Sequence, residues 1–358
     1  MTTLSSDEQA MHSLAHDFFV GEAPLDRQQE TARALAVSGQ RPSNERAQCV
    51  QMAKLDFFSQ AAPEDLGGVG LTPLASGLIA EAAGAELVPG AWFDQLASIR
   101  LLAPLGADVL RPIISAERLV ALSFDAPSTG LRWDSSGSTV SGVVTGLHFG
   151  DTADLWAVLA NDTIVVIDPR APGVSGSVQT AGLDPLSYTI TAQLHDVRPD
   201  HMLRLDRADH AALYAHVCAL VAAYAVGAAT RCLDIAVAYV KEREQFGRAV
   251  GSFQAIKHRA ANAAVDLLHT RSLARSAIAD ASGASAHEAR IAADRCYRMV
   301  SESSLQMHGG IGFTSDVPIH LFLKSAQRLR GWPRPVDESF DAVRTTLGLD
   351  TEPLSEDR

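Results

Sequence analysis

The amino-acid sequence predicts a multidomain α+β protein: an N-terminal helical domain, a central antiparallel β-domain and a C-terminal domain of four-helix-bundle type. Three observations carry this. The first third repeats apolar residues at helical spacing. The middle breaks into short β-rich runs punctuated by Gly, Pro, Asp and Ser. The last third holds long apolar-periodic segments with few breakers. The domains are expected at residues 1–118, 119–205 and 206–358 of the 358-residue chain, which is long enough for two or three cores.

Taken in order, Ser5-Ser6-Asp7-Glu8 is a helix-start signal, followed by Met11, Leu14, Ala15, Phe18 and Phe19 at helical spacing. Ala47 to Leu55 continues the helical pattern. A glycine-rich loop, Ala62 to Leu71, precedes helices expected over Thr72 to Ala85 and Trp92 to Leu105. Strands are expected at Val120–Phe124, Ser138–Val144, Leu155–Ala160, Thr163–Ile167 and Tyr188–Leu194. Three long helices follow, over Ala208–Phe246, Phe253–Asp280 and about Ala286–Met307. In the first, Leu213, Val217, Leu220, Val221, Tyr224, Ala228 and Val237 recur at helical spacing, and such helices should pack as a bundle.

Composition narrows the function. The hydrophobic fraction of 47% and charged fraction of 20% suit a soluble globular protein. A formal net charge of −12, with no basic stripe, disfavours a nucleic-acid partner. Cys49, Cys218, Cys232 and Cys296 are scattered without metal-ligand spacing, so no metal site is expected and reduced thiols in a cytoplasmic protein are the simplest account. The N-terminus is acidic where a signal peptide is basic. Ala211 to Thr230 carries no formal charge over nearly a bilayer's thickness, but it runs into Arg231 and Asp234, and a buried bundle helix explains it better than a membrane span.

Two turns carry the functional signal. In Tyr239 to Gln254, Arg243 is expected in the last helical turns, Phe246-Gly247 at the helix end and Ser252 as N-cap of the next helix. Gln254 then lies in a first turn whose N–H groups are free. An arginine, a helix N-terminus and a glutamine at one turn suit an anion; the same residues also suit a solvated helical hairpin. The second turn is Leu305 to Thr314, where Gly309, Gly310 and Gly312 let backbone approach a ligand closely.

Together these segments resemble the acyl-CoA dehydrogenase family. Its R-x-x-F-G turn, a following Gln and a Q-x-x-G-G-x-G-F/Y-T run match Arg243, Phe246, Gly247, Gln254, Gln306, Gly309, Gly310 and Gly312. The Pro63-Glu64 to Leu71 loop matches a further family segment, and the order of domains is the family's. The resemblance covers nearly the whole chain, thinning after about Lys324. It implies contacts to the adenosine and pyrophosphate half of FAD, made across a dimer interface to flavin bound mainly by the neighbouring subunit. Cofactor-binding residues on this basis are Arg243, Phe246, Gln254, Gln306, Gly309 and Gly310. The implied reaction is α,β-desaturation of an acyl-CoA thioester: a carboxylate base takes the α-proton and the β-hydrogen leaves as hydride to flavin.

The sequence departs from the family where the chemistry would be. The family's C-terminal glutamate stretch is replaced by Arg330 to Phe340, a proline-interrupted run in which Glu338 is the only glutamate. The family's alternative Glu-Arg pair, counted back from Gly227, falls on Val217 and Cys218. His216 beside them is on a different helix face and reads as a core or interface residue. Flavin-ring contacts are replaced at Phe124 to Gly130 and at Gly146 to Phe149, leaving Ser123, Asp125 and His148 as polar residues there. No catalytic residue is assigned.

This asymmetry implies a heteromer. A homologous acyl-CoA dehydrogenase subunit would bring the catalytic glutamate and ring contacts, this chain would clamp its FAD, and two unlike pairs would form a heterotetramer. The resemblance is then to the non-catalytic-type subunit of heterotetrameric enzymes of steroid side-chain degradation, a branch of lipid metabolism. An acyl-CoA substrate is expected, with electron-transferring flavoprotein the family's usual acceptor. Three alternatives stay open: a self-sufficient enzyme whose base is Asp125, Asp337 or Glu338, a redox-inactive acyl-CoA binding protein, and an assembly partner without cofactor residues.

Overall fold

A computed structural model describes residues 4–38, 44–124, 130–134, 137–160, 162–280 and 284–349. The chain opens with α1 (Ser6–Glu22), α2 (Leu25–Ser38) and α3 (Glu45–Lys54). The start of α1 is a capping box: Glu8 N–H donates to Ser5 Oγ at 3.3 Å and Ser5 N–H to Glu8 Oε2 at 2.9 Å. Met11, Ala15 and Phe19 recur at i, i+4 on the buried face, and Phe19 packs against Phe57 and Trp92. The next helices are α4 (Leu74–Ala85), α5 (Trp92–Leu102) and α6 (Ala107–Ile114).

Two four-stranded sheets follow. One has the order β1 (Val120–Ser123), β4 (Leu155–Ala160), β5 (Thr163–Ile167), β8 (His201–Arg204). The other has the order β2 (Arg132–Trp133), β3 (Val140–His148), β7 (Tyr188–Val197), β6 (Val174–Ala181). All pairs in these sheets are antiparallel except β1 with β4, which run parallel in the register Val120↔Leu155, so the region is not purely antiparallel. The β2–β3 hairpin of the second sheet lies between them in sequence and returns the chain to the end from which β1 began. Asp154 fixes the register there, accepting from Leu119 N–H at 2.9 Å and Arg46 at 2.6 Å.

The last part is a bundle of α7 (Arg207–Glu242), α8 (Gln254–Ala279), α9 (Ala284–His308) and α10 (Ile319–Gly331), closed by α11 (Asp337–Thr346) on α9. The last two helices lie mostly beyond the point where the sequence pattern thinned. The uncharged stretch of α7 is long and apolar enough to cross a membrane, but it is buried within the fold. Its small residues let α4 cross at backbone contact. A Cβ on Gly227 would sit 1.8 Å from Glu81 O, and one on Gly84 2.0 Å from Tyr224 O. Beside the crossing, buried Glu81 accepts from Arg271 at 2.8 Å and Arg275 at 3.2 Å, tying α4 to α8.

α7 ends four residues earlier than the expected Phe246. Arg243 is already extended, and Glu244–Gln245 (β9) pairs with Arg248–Ala249 (β10) in a small hairpin. Phe246 and Gly247 are its two turn residues, both at positive φ (53° and 74°). A glycine at a helix C-terminus and one in a two-residue hairpin turn have the same φ requirement, which is why sequence could not separate them. Ser252 is likewise not the N-cap. It lies in a short 3₁₀ turn with its Oγ buried and unpartnered, and Phe253 occupies the cap position.

Candidate functional site

The two motif-bearing turns meet at one end of the bundle. Tyr239, one turn before Arg243, stacks on His308, the residue before the glycine turn, with centroids 4.4 Å apart and planes 15° apart. His308 Nδ1 faces Ser304 O at 2.8 Å, which makes that nitrogen the donor. Partial burial holds its pKa below the ordinary imidazole value.

Around this stack the predicted residues are presented outward. Arg243 is exposed and makes no ion pair among the described residues. Gln254, in the uncapped first turn of α8, and Gln306 are also exposed. Phe246 is 92% exposed and Phe313 73%. Burying a phenylalanine is worth about 1.5–3 kcal/mol, so two left in water beside one another's turns mark a surface that something covers. The glycines divide into two kinds. Gly312 is buried, and a Cβ there would meet His308 Cβ at 3.0 Å and Leu305 O at 3.1 Å, so packing explains it. A Cβ on Gly309 or Gly310 would meet nothing within 4 Å. Gly309 is fixed by its φ of +65°, but no conformational or packing demand within the chain explains Gly310. Its bare backbone is open to an approaching molecule.

The second feature is a cleft of about 620 Å³ between the second sheet and the bundle. Its walls include Phe124, His148, Ser187, Arg328, Trp332 and Glu338. The residues come from five separate parts of the chain and mostly satisfy one another. His148, at the end of β3, pairs through Nε2 with Ser187 Oγ at 2.9 Å. Its ring lies 5.0 Å from that of Trp332, which in turn meets Phe93 at 4.9 Å. Arg328 donates to buried Asp184 at 3.0 Å. His148 Nδ1 faces Oδ1 of Asp94 on α5 at 3.8 Å, and neither atom has a hydrogen-bond partner. Burial pushes the Asp94 carboxyl up and the His148 imidazole down. Sequence singled out His148 alone of this group. Asp94, Ser187 and Arg328 sit in no motif and converge only through folding.

The other polar residues are placed as follows. Ser123, at the end of β1, donates across to Thr145 O on β3 of the other sheet at 2.7 Å. Asp125 lies outside the described residues. Glu338 accepts from Arg334 at 3.0 Å at the cleft edge, and Asp337 opens α11. Val217 and Cys218 are fully buried, and burial pushes the Cys218 thiol up to about 11. His216 points Nε2 into protein with no partner, and burial pushes its pKa down to about 3.

Comparison with known proteins supplies the family. Residues 215–332 match the family model for the acyl-CoA dehydrogenase C-terminal domain. The chain is 32% identical over 280 residues to acyl-CoA dehydrogenase IpdE2 of Mycolicibacterium smegmatis, covering 76% of this chain and 79% of that one. It is 30% identical over 325 residues to acyl-CoA dehydrogenase FadE34 of Mycobacterium tuberculosis, covering 84% of this chain and 43% of the longer relative. Among solved structures, the Tcur3481-Tcur3483 steroid ACAD variant superposes with a TM-score of 0.83 at 24% identity, over 97% of this chain and 99% of that one. The ChsE4-ChsE5 complex from Mycobacterium tuberculosis superposes with a TM-score of 0.84 at 22% identity, over 99% and 100%.

Proposed function

This chain belongs to the acyl-CoA dehydrogenase family, flavin-dependent oxidoreductases acting on acyl-CoA, and from that premise we propose that it is the clamping, non-catalytic subunit of a heteromeric member. A homologous partner subunit carries the catalytic glutamate and the flavin-ring contacts. This chain supplies Arg243, Phe246, Gln254, Gln306, Gly309 and Gly310 to the adenosine and pyrophosphate half of the partner's FAD. The assembly is a cytoplasmic heterotetramer of two unlike pairs with one FAD per pair. It desaturates a bulky acyl-CoA, a steroid side-chain ester being the class favoured by its relatives' company, and passes electrons to electron-transferring flavoprotein.

The observation that carries this reading is the opposite state of the clamp and the cleft. At the clamp, an arginine with no ion pair among the described residues, an exposed phenylalanine and an open glycine backbone face outward. They fit a phosphate-bearing ligand: guanidinium pairs with pyrophosphate oxygens, bare backbone N–H groups accept close approach, and an uncapped helix N-terminus favours negative charge. At the cleft, Ser123 is bonded to Thr145 of the other sheet, His148 is engaged with Ser187, and Trp332 lies against the His148 ring. Those residues offer a flavin ring no free polar contact. When bound, the flavin accepts hydride. The residues of this chain bind and orient its distal half and do not touch the reacting carbons.

The test is flavin stoichiometry. The chain is purified alone and co-purified with a homologue that has the glutamate, and FAD per chain is read from the visible spectrum. Colourless chain alone and one FAD per unlike pair is the expected result. One FAD per chain in the isolated protein, with desaturase turnover, would overturn the reading in favour of a self-sufficient enzyme.

A further inference from the structure

The Ser187, His148 and Asp94 side chains stand in the order of a nucleophile, a base and an orienting carboxylate, and they lie where a ligand could reach the nucleophile. Ser187 Oγ is 2.9 Å from His148 Nε2, and His148 Nδ1 faces Asp94 Oδ1 at 3.8 Å. Asp94 is fully buried and anchored through its other oxygen, which accepts Leu122 N–H at 2.9 Å. The two facing atoms, Nδ1 and Oδ1, are the ones left without partners, so the imidazole and carboxylate have only each other to turn to. Such contacts in a resting site are often long and shorten when the imidazole takes a proton. Ser187 lines the 620 Å³ cleft, a volume within the range of small-molecule sites. Behind it lies a void of about 20 Å³ bounded by the same Ser187 and His148 together with Asp184 and Arg328. That is room for one water among several polar partners.

We propose that this cluster is a second active site, a serine (thio)esterase that cleaves acyl thioesters or esters entering the cleft. Ser187 and His148 are its catalytic residues and Asp94 is a positioning residue. Ser187 Oγ bonds to the carbonyl carbon while its proton passes to His148 Nε2. The C–S bond breaks, the departing sulfur takes that proton, and an acyl-serine and a free thiol result. A water from the void then attacks the acyl-serine and gives a proton to Nε2. The C–O bond to Ser187 breaks, the serine recovers the proton, and a carboxylic acid leaves. The net change is thioester plus water to acid plus thiol, with no electron acceptor. Arg328, paired with Asp184, lines both the cleft and the void and is the cation proposed to stabilise the carbonyl oxygen as it becomes negative. Phe124, Tyr188 and Trp332 in the cleft wall suit an apolar acyl portion. The reaction is independent of flavin and of the clamp.

The test uses the full chain, alone and in complex with its homologue. Labelling with a fluorophosphonate probe is followed by peptide mapping, and thiol release from butyryl-CoA and hydrolysis of p-nitrophenyl butyrate are measured with no electron acceptor. Label on Ser187, and its loss in Ser187→Ala together with a fall in hydrolysis of at least roughly 10²-fold, is the expected result. Ser187→Cys should exchange fluorophosphonate labelling for iodoacetamide labelling at the same residue. Asp94→Asn should slow hydrolysis and move the acidic limb of the pH–rate profile lower, because the carboxylate that favours the protonated imidazole is gone; a purely structural role would not move that limb. No label on Ser187 in folded protein, or hydrolysis unchanged in Ser187→Ala, overturns the proposal. A yellow complex without thiol release would sink the esterase alone. Thiol release from a chain that never acquires flavin would sink only the clamp.

Discussion

Replacing Arg243 with alanine tests the clamp most directly. The guanidinium is exposed and has no ion pair among the described residues to lose, so the substitution strands no buried group there and the isolated chain should melt within about 1 °C of the parent. Its effect should appear only in flavin binding. A hydrogen bond to a charged group is worth about 1.5–3 kcal/mol, and water at the rim screens it toward the lower figure. About 1.5 kcal/mol corresponds to a roughly tenfold weaker Kd for FAD. The assay is to strip flavin from the complex of this chain with its homologue and titrate FAD back, following flavin fluorescence at two ionic strengths. Arg243→Ala should also flatten the salt dependence, since a charge–charge contact has been removed. Arg243→Lys should fall between, keeping the charge and losing the planar fork. An unchanged Kd and an unchanged salt slope would refute the assignment of this turn to the pyrophosphate.

Three further outcomes are expected. Gly227→Ala places a methyl 1.8 Å from Glu81 O and must push α4 from α7, so urea unfolding should show a loss of about 1–3 kcal/mol or failure to fold; parental stability would mean the crossing is looser than drawn. Glu338→Gln should leave desaturation within about twofold, because its carboxylate is held at the cleft edge by Arg334; a collapse in turnover with flavin retained would make Glu338 the base. His216 is pushed down to about 3 in the fold, so below its unfolded value near 6.5 the unfolded chain binds the extra proton and stability falls with pH through that window. At pH 5 the penalty is on the order of 2 kcal/mol, and a His216→Asn variant should have a flatter Tm profile between pH 6.5 and 4.

The features legible in sequence were those written in local spacing. The capping box at Ser5 and Glu8, the apolar face of α7 and the glycine turn after His308 each depend on residues a few positions apart. The parallel pairing of β1 with β4 was not legible, because the all-buried run of β4 reads the same whichever way its neighbour runs. The hairpin at Phe246-Gly247 was misread as a helix end because both need a residue at positive φ. The relay in the cleft was invisible for a different reason. Asp94, His148 and Ser187 come from a helix, a strand end and a loop, and no spacing rule links them before the sheet packs on the bundle.

The contrast between clamp and cleft constrains what this chain can be. A side chain contributes to folding only through contacts in its own fold. Phe246 lies at a turn position where positive φ is strained for any residue with a Cβ, and it exposes its ring almost completely. That combination costs stability and returns little within the chain, its one ring neighbour being Phe253 at 6.3 Å. Gly310 likewise forgoes a side chain at a position with room for one. Such features bring no gain to the monomer, which is why we assign them to a surface that a neighbour covers. The cleft runs the other way. Asp184 is buried and paired with the partly buried Arg328, and the partly buried Trp332 ring lies against His148; removing Arg328 would leave the Asp184 carboxylate uncompensated, at most about 3–5 kcal/mol. A flavin ring bound to these polar groups would compete with contacts this chain makes for itself, whereas a neighbour's cofactor on the clamp would compete with few. Those two signs are the reason one FAD per unlike pair is proposed.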